Sequence, residues 1–232
     1  MALFWSLVFV DPLIFFSTLF FGVISLFASG ALMMKTARVW ARSLLGIAGV
    51  RVKVEGLEKL TPGASYVFAS NHLSYMDTPV ILAHIPADFR FMAKDGLFKI
   101  PLLGTHLGQA GHIPVPRGDP RAAVKTMSLA ADTIRARNIS LLIFPEGGRS
   151  HDAILQPFKD GGAYIAIKAG VPLVPLAISG THEILAMHSA TFHRGAVTLR
   201  IGEPISTTGM TLHDRKSLTE TARQEVVVML HR

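Results

Sequence analysis

The sequence predicts an α/β fold: a mixed, mostly parallel sheet flanked by helices, preceded by a hydrophobic, membrane-anchoring helical segment. Three observations lead there. Short apolar runs of strand length alternate with longer amphipathic stretches through residues 50–232. Polar clusters follow directly on three of those runs, where open α/β folds place their ligands. The apolar residues are also unevenly spread: residues 1–34 hold one charged group, Asp11, and half of the 14 Phe.

The whole-chain figures fit this division. The 232 residues carry 23 Lys and Arg against 16 Asp and Glu, a net charge of +7, yet are 50% apolar and only 17% charged. Mean hydropathy is +0.40. Disorder is excluded, because disordered chains are poor in apolar residues and rich in charge. The absence of cysteine excludes disulfides, thiolate metal sites, iron–sulfur clusters and a cysteine acyl-enzyme. Two parts are expected: N-terminal membrane-anchoring helices over 1–49 and an α/β domain over 50–232.

Residues 13–34 are uncharged and rich in Leu, Ile and Phe, with Lys35, Arg38 and Arg42 following at once. A helix of that length reaches about 33 Å, enough for a hydrocarbon core of about 30 Å. The basic flank places that end in the cytoplasm, at the headgroups. Asp11-Pro12 breaks the apolar stretch near its start. Residues 37–50 mix Arg38, Trp40 and Arg42 with Leu44, Leu45 and Ile47, so they suit a second segment lying flat at the interface. Spanning and re-entrant anchors both remain open. A signal peptide does not fit, because no basic residue precedes the apolar run.

Alternation over 50–54 predicts a short strand, and 65–70 a buried one. Asp77-Thr-Pro opens a helix over 77–85, with Asp77 as N-cap and Pro79 in the first turn. Strands follow over 89–93 and 113–115, with a short helix and turn between them at 101–111. Apolar spacing at Ala123, Met127, Ala130 and Ile134 predicts a helix over 120–137. Residues 140–144 and 173–178 read as buried strands. The helix over 161–169 closes at Gly170. Strict alternation gives a strand over 196–201, and an amphipathic helix over 217–230 ends the chain.

The first polar cluster is Asn71-His72-Leu73-Ser74-Tyr75-Met76-Asp77. His72 and Asp77 stand five apart across a turn that enters a helix, so the carboxylate can reach back to the imidazole. Such a contact fixes the tautomer and leaves the other ring nitrogen free to take a proton. The plainer reading is a loop histidine beside a capping aspartate. The second cluster, Pro114 to Asp119, sets Arg117 between a strand and a helix, where its guanidinium fork suits a phosphate or simply lies in a surface turn. The third, Phe144-Pro145-Glu146-Gly147-Gly148-Arg149-Ser150, offers backbone N–H groups and one fixed charge of each sign. It also reads as a glycine-rich turn with a solvated ion pair.

Together these clusters resemble the glycerolipid acyltransferase family, whose best-known members are the lysophosphatidic acid acyltransferases. Four blocks of that family are present in order over roughly residues 50–205: NHxSxxD at Asn71, His72, Ser74 and Asp77; a strand ending in Arg117; FPEGxRS at Phe144 to Ser150; and VPxVP at Val171 to Pro175. Gly148 stands where the family most often has Thr. Pro114 and Pro116 replace larger apolar and acidic residues.

The resemblance implies transfer of a fatty acyl group from a thioester to a glycerolipid hydroxyl. His72 would be the general base and Asp77 its orienting carboxylate, an arrangement worth about 10² to 10⁴ in rate. The leaving thiolate makes a covalent enzyme intermediate unnecessary. Arg117 would hold the acceptor phosphate, with Glu146, Gly147, Arg149, Lys94 and Ser74 completing the substrate-binding set. The expected reaction is acylation of the sn-2 hydroxyl of 1-acylglycerol-3-phosphate to phosphatidic acid, with acyl-CoA or acyl-carrier protein as co-substrate. Neither cofactor nor metal is expected, and no nucleic-acid partner, since the chain lacks the corresponding motifs. The expected location is a membrane surface, active site toward the cytoplasm, as at a bacterial inner membrane. Alternatives are an acyltransferase for another lysolipid, such as a lyso-ornithine lipid or lysophospholipid, and a membrane-bound lipid-binding protein without activity.

Overall fold

A computed structural model describes residues 2–28, 31–116, 118–150, 152, 154–189 and 191–232. Its centre is a seven-stranded sheet of β1 (Val50–Glu55), β2 (Val67–Ser70), β3 (Phe89–Lys94), β4 (Ile113–Val115), β5 (Ser140–Ile143), β6 (Leu173–Ser179) and β7 (Gly195–Ile201), in the order β1-β7-β6-β2-β5-β3-β4. Every neighbouring pair is parallel except β6 and β7. The predicted mixed, mostly parallel sheet is therefore what forms. The central strands β2 and β5 are buried along their whole length, which is why they read as unbroken apolar runs.

Strand periodicity sorts the core into two layers. Phe68 and Leu142 point to one face, into a core shared with Val80 and Ile81 of α4 (Asp77–His84). Val67, Ala69, Leu141 and Ile143 point to the other, against α6 (Pro120–Arg137) and α7 (Gly161–Ala169). Asp119 caps α6 by accepting from the N–H groups of Arg121 and Ala122. Gly170 ends α7 at φ 69°, the ending that the sequence predicts. Helix α5 (Leu103–Gln109) links β3 to β4. The short α8 (Thr181–Ile184) follows β6, and α9 (Arg215–Leu230) closes the chain against β6.

Three features define the N-terminal segment. Asp11-Pro12 does not interrupt the helix. Helix runs through α1 (Ala2–Trp5), a π-helical turn at Ser6–Val10 and α2 (Asp11–Ser25), with the Asp11 N–H donating to the Ser6 carbonyl. The wider turn accommodates a proline that lacks an N–H.

The apolar run 13–34 is also not one helix, because α2 ends at Ser25 and α3 (Ala31–Ile47) begins a second. The later part of the run serves a different surface. Met33, Met34, Ala37, Ala41, Leu44, Leu45 and Ala48 recur at helical spacing and are buried.

Third, residues 37–50 are tied to the domain along one face. Most of the buried face of α3 joins the α4 core, Trp40 donates its indole N–H to Thr18 at 3.1 Å, and Arg38 and Arg42 donate to the carbonyls of Ala87 and Ala83 near the end of α4. Arg42 thus caps the last turn of α4, and Arg38 holds the loop that follows it. The stretch Ser6–Ile24 remains long and apolar enough to cross a membrane, and it is largely uncovered by the rest of the chain.

Candidate active site

The site forms where β2 and β5, adjacent in the sheet, deliver their following loops to the same end. The Asn71 side chain anchors the first loop. Its amide donates to the Ile178 carbonyl at 2.9 Å and accepts from the Ile178 N–H at 2.8 Å, fastening the loop to β6. The next residue is gripped by the second loop on both sides of its main chain. The His72 N–H donates to Glu146 Oε1 at 2.6 Å, and the His72 carbonyl accepts from the Ser150 N–H at 2.9 Å.

Asp77 lies buried at the start of α4 with both oxygens occupied. Oδ2 meets His72 Nδ1 at 2.8 Å and accepts from the N–H groups of Leu73 at 2.7 Å and Ser74 at 2.8 Å. Oδ1 accepts from the Thr181 hydroxyl at 2.6 Å. The predicted N-cap role is corrected here: Met76 occupies the cap position without a side-chain bond, and Asp77 is the first helical residue, its carboxylate turned back over the loop. A carboxylate this deeply buried needs every donor within reach, which outweighs capping.

A carboxylate accepting at Nδ1 assigns the proton to that nitrogen, so Nε2 carries the lone pair. The imidazole is stacked on Phe144, centroids 3.7 Å apart and planes 11° from parallel. Burial pushes the His72 pKa below the ordinary histidine value, partly opposed by the hydrogen bond and charge of Asp77, so the neutral ring is favoured near pH 7.

The remaining expected residues divide. Glu146 is buried and commits both oxygens internally, Oε1 to His72 N–H and Oε2 to Gln156 N–H at 2.8 Å. It thereby braces the two loops against each other. The Ser74 hydroxyl is likewise occupied, donating to the Leu185 carbonyl at 2.6 Å and accepting from the Met76 N–H at 3.1 Å.

Arg149 stands half-buried beside the pair, its Nε donating to the Ser74 carbonyl at 3.3 Å and its guanidinium 4.1 Å from the centroid of the exposed Tyr75 ring. Gly147 adopts φ 79°, and Gly148 is open on its Cβ side. Lys94 is exposed at the end of β3 and pairs in register with Val115 of β4, so it shares an edge with the loop that leads to Arg117. Arg117 itself lies outside the described residues. Among the described residues, no three His, Asp or Glu converge as a metal would require.

Sequence reasoning missed three participants. Thr181 follows Gly180, whose φ of 92° lets the chain turn sharply after β6; a small turn residue after a buried strand was the available signal. Gln156 contributes only its backbone N–H, which no residue type advertises. Lys159 lays its ammonium over Gly147, at 2.4 Å from where a Cβ would stand.

Residues 51–179 match the family described as Acyltransferase. The chain is 36% identical over 171 residues to a 1-acyl-sn-glycerol-3-phosphate acyltransferase of Limnanthes douglasii, covering 73% of this chain and 59% of that one. It is 34% identical over 171 residues to the chloroplastic enzyme BAT2 of Brassica napus, covering 73% of this chain and 49% of that one. With the human alpha enzyme the identity is 29% over 196 residues, 84% of this chain and 69% of that one. The chain thus spans about half the length of the Brassica napus relative and 59% of the Limnanthes douglasii one. The crystal structure of the 1-acyl-sn-glycerophosphate acyltransferase PlsC from Thermotoga maritima superposes with TM-score 0.72 at 29% identity, over 86% of this chain and 80% of that one.

Proposed function

The chain belongs to the acyltransferase family, and on that footing we propose that it transfers a fatty acyl group from acyl-CoA or acyl-carrier protein to the sn-2 hydroxyl of 1-acylglycerol-3-phosphate, forming phosphatidic acid. The observation that carries this reading is the His72–Asp77 contact at 2.8 Å, with the second ring nitrogen left for chemistry.

His72 Nε2 takes the hydroxyl proton as the acceptor oxygen attacks the thioester carbonyl. The imidazolium so formed is stabilised by Asp77. Collapse of the tetrahedral intermediate breaks the C–S bond, and the proton on Nε2 passes to the departing thiolate. Atoms balance as ester plus free thiol, and no residue is acylated. Arg149, Lys94 and Arg117 supply positive charge for the acceptor phosphate. Glu146 and Ser74 act through the backbone, by holding His72 and its loop.

The helix through Ser6–Ile24 holds the protein at the membrane where acceptor and product reside, with the active site on the cytoplasmic side. In this reading 1–49 supplies the attachment and 50–232 the catalysis, although α3 is also part of the domain's core.

The test is thiol release from acyl-CoA and from acyl-carrier protein, with and without 1-acylglycerol-3-phosphate. Acceptor-dependent release is expected. Its absence with both donors overturns the reading. Faster release with a lyso-ornithine lipid or another lysophospholipid reassigns the acceptor.

A further inference from the structure

Exposed apolar side chains are also found on a segment beside the N-terminal helix. After β3, Asp95–Lys99 forms a 3-10 turn and α5 begins at Leu103. Here Leu97, Ile100, Leu102 and Leu103 stand 37–46% exposed. Helix α5 touches α2, and Ala110 at its end clusters with Ala28 and Met33 of the N-terminal helices. The four side chains therefore lie at the start of a helix in contact with the one that exposes Phe15, Phe16 and Phe20. Lys94 and Lys99 border them, both exposed.

This segment is held, not loose. Gly104 backs onto the Phe98 carbonyl, where a Cβ would come within 2.0 Å, and its N–H donates to the Ile100 carbonyl at 2.7 Å. The Leu103 N–H donates to the Pro101 carbonyl at 2.7 Å, closing a γ-turn with Leu102 at φ 64°, ψ −54°. That conformation is rare and strained for a residue with a Cβ. A strained backbone that fixes contiguous leucines outward, beside lysines, calls for a partner that rewards both.

We propose that residues 97–103 form a second membrane contact, setting their apolar side chains at the acyl–headgroup boundary of an anionic bilayer with Lys99 at the lipid phosphates. The proposal rests on the membrane attachment given under the proposed function. One helix alone leaves the domain free to swivel about it. A second contact at the end of β3, two strands from β2, fixes which face of the domain meets the lipid and turns the His72 end of the sheet toward the acceptor's layer.

The absence of native cysteine gives a direct test. Full-length Ile100→Cys, labelled with an environment-sensitive fluorophore, is reconstituted into phosphatidylglycerol–phosphatidylcholine vesicles carrying a nitroxide lipid. Leu129→Cys is the reference, exposed on α6 on the far face of the sheet. The label at 100 should be quenched at least about threefold more strongly than that at 129. Equal quenching, with protein still floating with the vesicles, overturns the second contact and leaves the helical anchor standing. Protein that does not float overturns both.

The double variant Ile100→Ser/Leu103→Ser should lose at least about fivefold in turnover on vesicle-borne acceptor while matching the unsubstituted protein on a short-chain, water-soluble one. Equal loss on both acceptors assigns the segment to the catalytic pocket instead and overturns the proposal.

Discussion

Thr181 donates to Asp77 Oδ1 at 2.6 Å across 104 residues of sequence, on the carboxylate oxygen that His72 does not use. Neither residue is exposed. The hydroxyl therefore decides whether a buried carboxylate is fully satisfied, and leaving such an oxygen unpaired costs about 1–3 kcal/mol. Thr181→Val keeps the shape and removes the donor. It should lower kcat by about tenfold with little change in acceptor KM, because the base and not the binding is disturbed. Thr181→Ser should restore most of the loss. Steady-state kinetics of the two variants check this; equal loss in both would assign the effect to the methyl group's packing.

The pair itself makes a larger prediction. In Asp77→Asn the amide oxygen can still accept from Leu73 N–H, Ser74 N–H and His72 Nδ1, which converge on one oxygen, while its NH2 faces the Thr181 hydroxyl. What is lost is the negative charge that stabilises the imidazolium, and the analogous change in serine hydrolases costs about 10⁴ in kcat. His72→Ala should cost about 10² to 10⁴. The double variant should be scarcely worse than either single one, because the two act as a unit. Membrane flotation and thermal unfolding should show folded protein in each case.

What was legible in the sequence follows from locality. The His72–Asp77 contact bridges five residues over a loop that enters a helix, so spacing alone could suggest it. The buried strands showed because central parallel strands must be apolar on both faces, as Ser140–Ile143 largely is. Glu146 as a brace was not legible, because it depends on β5 lying next to β2; Thr181 depends in the same way on β6 lying on the other side. The division of residues 13–34 between two helices was hidden for another reason. Phe16 on the outer surface and Met33 in the interior are equally apolar, so hydropathy does not record which of them meets protein.

Glu146 makes the reaction sensitive to pH. Burial raises its pKa to about 7, with the Asp77 charge adding and the N–H bonds from Gln156 and His72 opposing. The ionised carboxylate accepts both N–H groups; protonated, one of its oxygens becomes an O–H and the N–H bond to that oxygen weakens. The brace is therefore complete above pH 7, and activity should rise with pH through about that value. The lowered pKa of His72 puts its own limb below the ordinary histidine range. Glu146→Gln should abolish the limb near 7, leave the lower one, and reduce the plateau by about tenfold. Stability moves the other way: between 4.5 and about 7 the folded state holds more protons on this group than the unfolded chain, so its contribution declines as pH rises through that window. A kcat/KM profile of both proteins from pH 5 to 9 decides the point.

The two adjacent glycines of the second loop should respond in opposite ways to substitution. Gly147 sits at φ 79°, and a Cβ there would lie 2.4 Å from the Lys159 ammonium nitrogen. Gly147→Ala therefore faces both backbone strain of about 1–2 kcal/mol and displacement of a cation from the site's rim. It should lower thermal stability and reduce activity, the latter chiefly through acceptor KM if Lys159 helps attract the phosphate. Gly148 has ordinary φ, and nothing lies within 4 Å of the position its Cβ would take. Gly148→Thr, which restores the residue common at this place in the family, should leave the melting temperature unchanged or slightly raised by reducing the freedom of the unfolded chain. Equal destabilisation by the two substitutions would show that the loop does not hold these dihedral angles in solution.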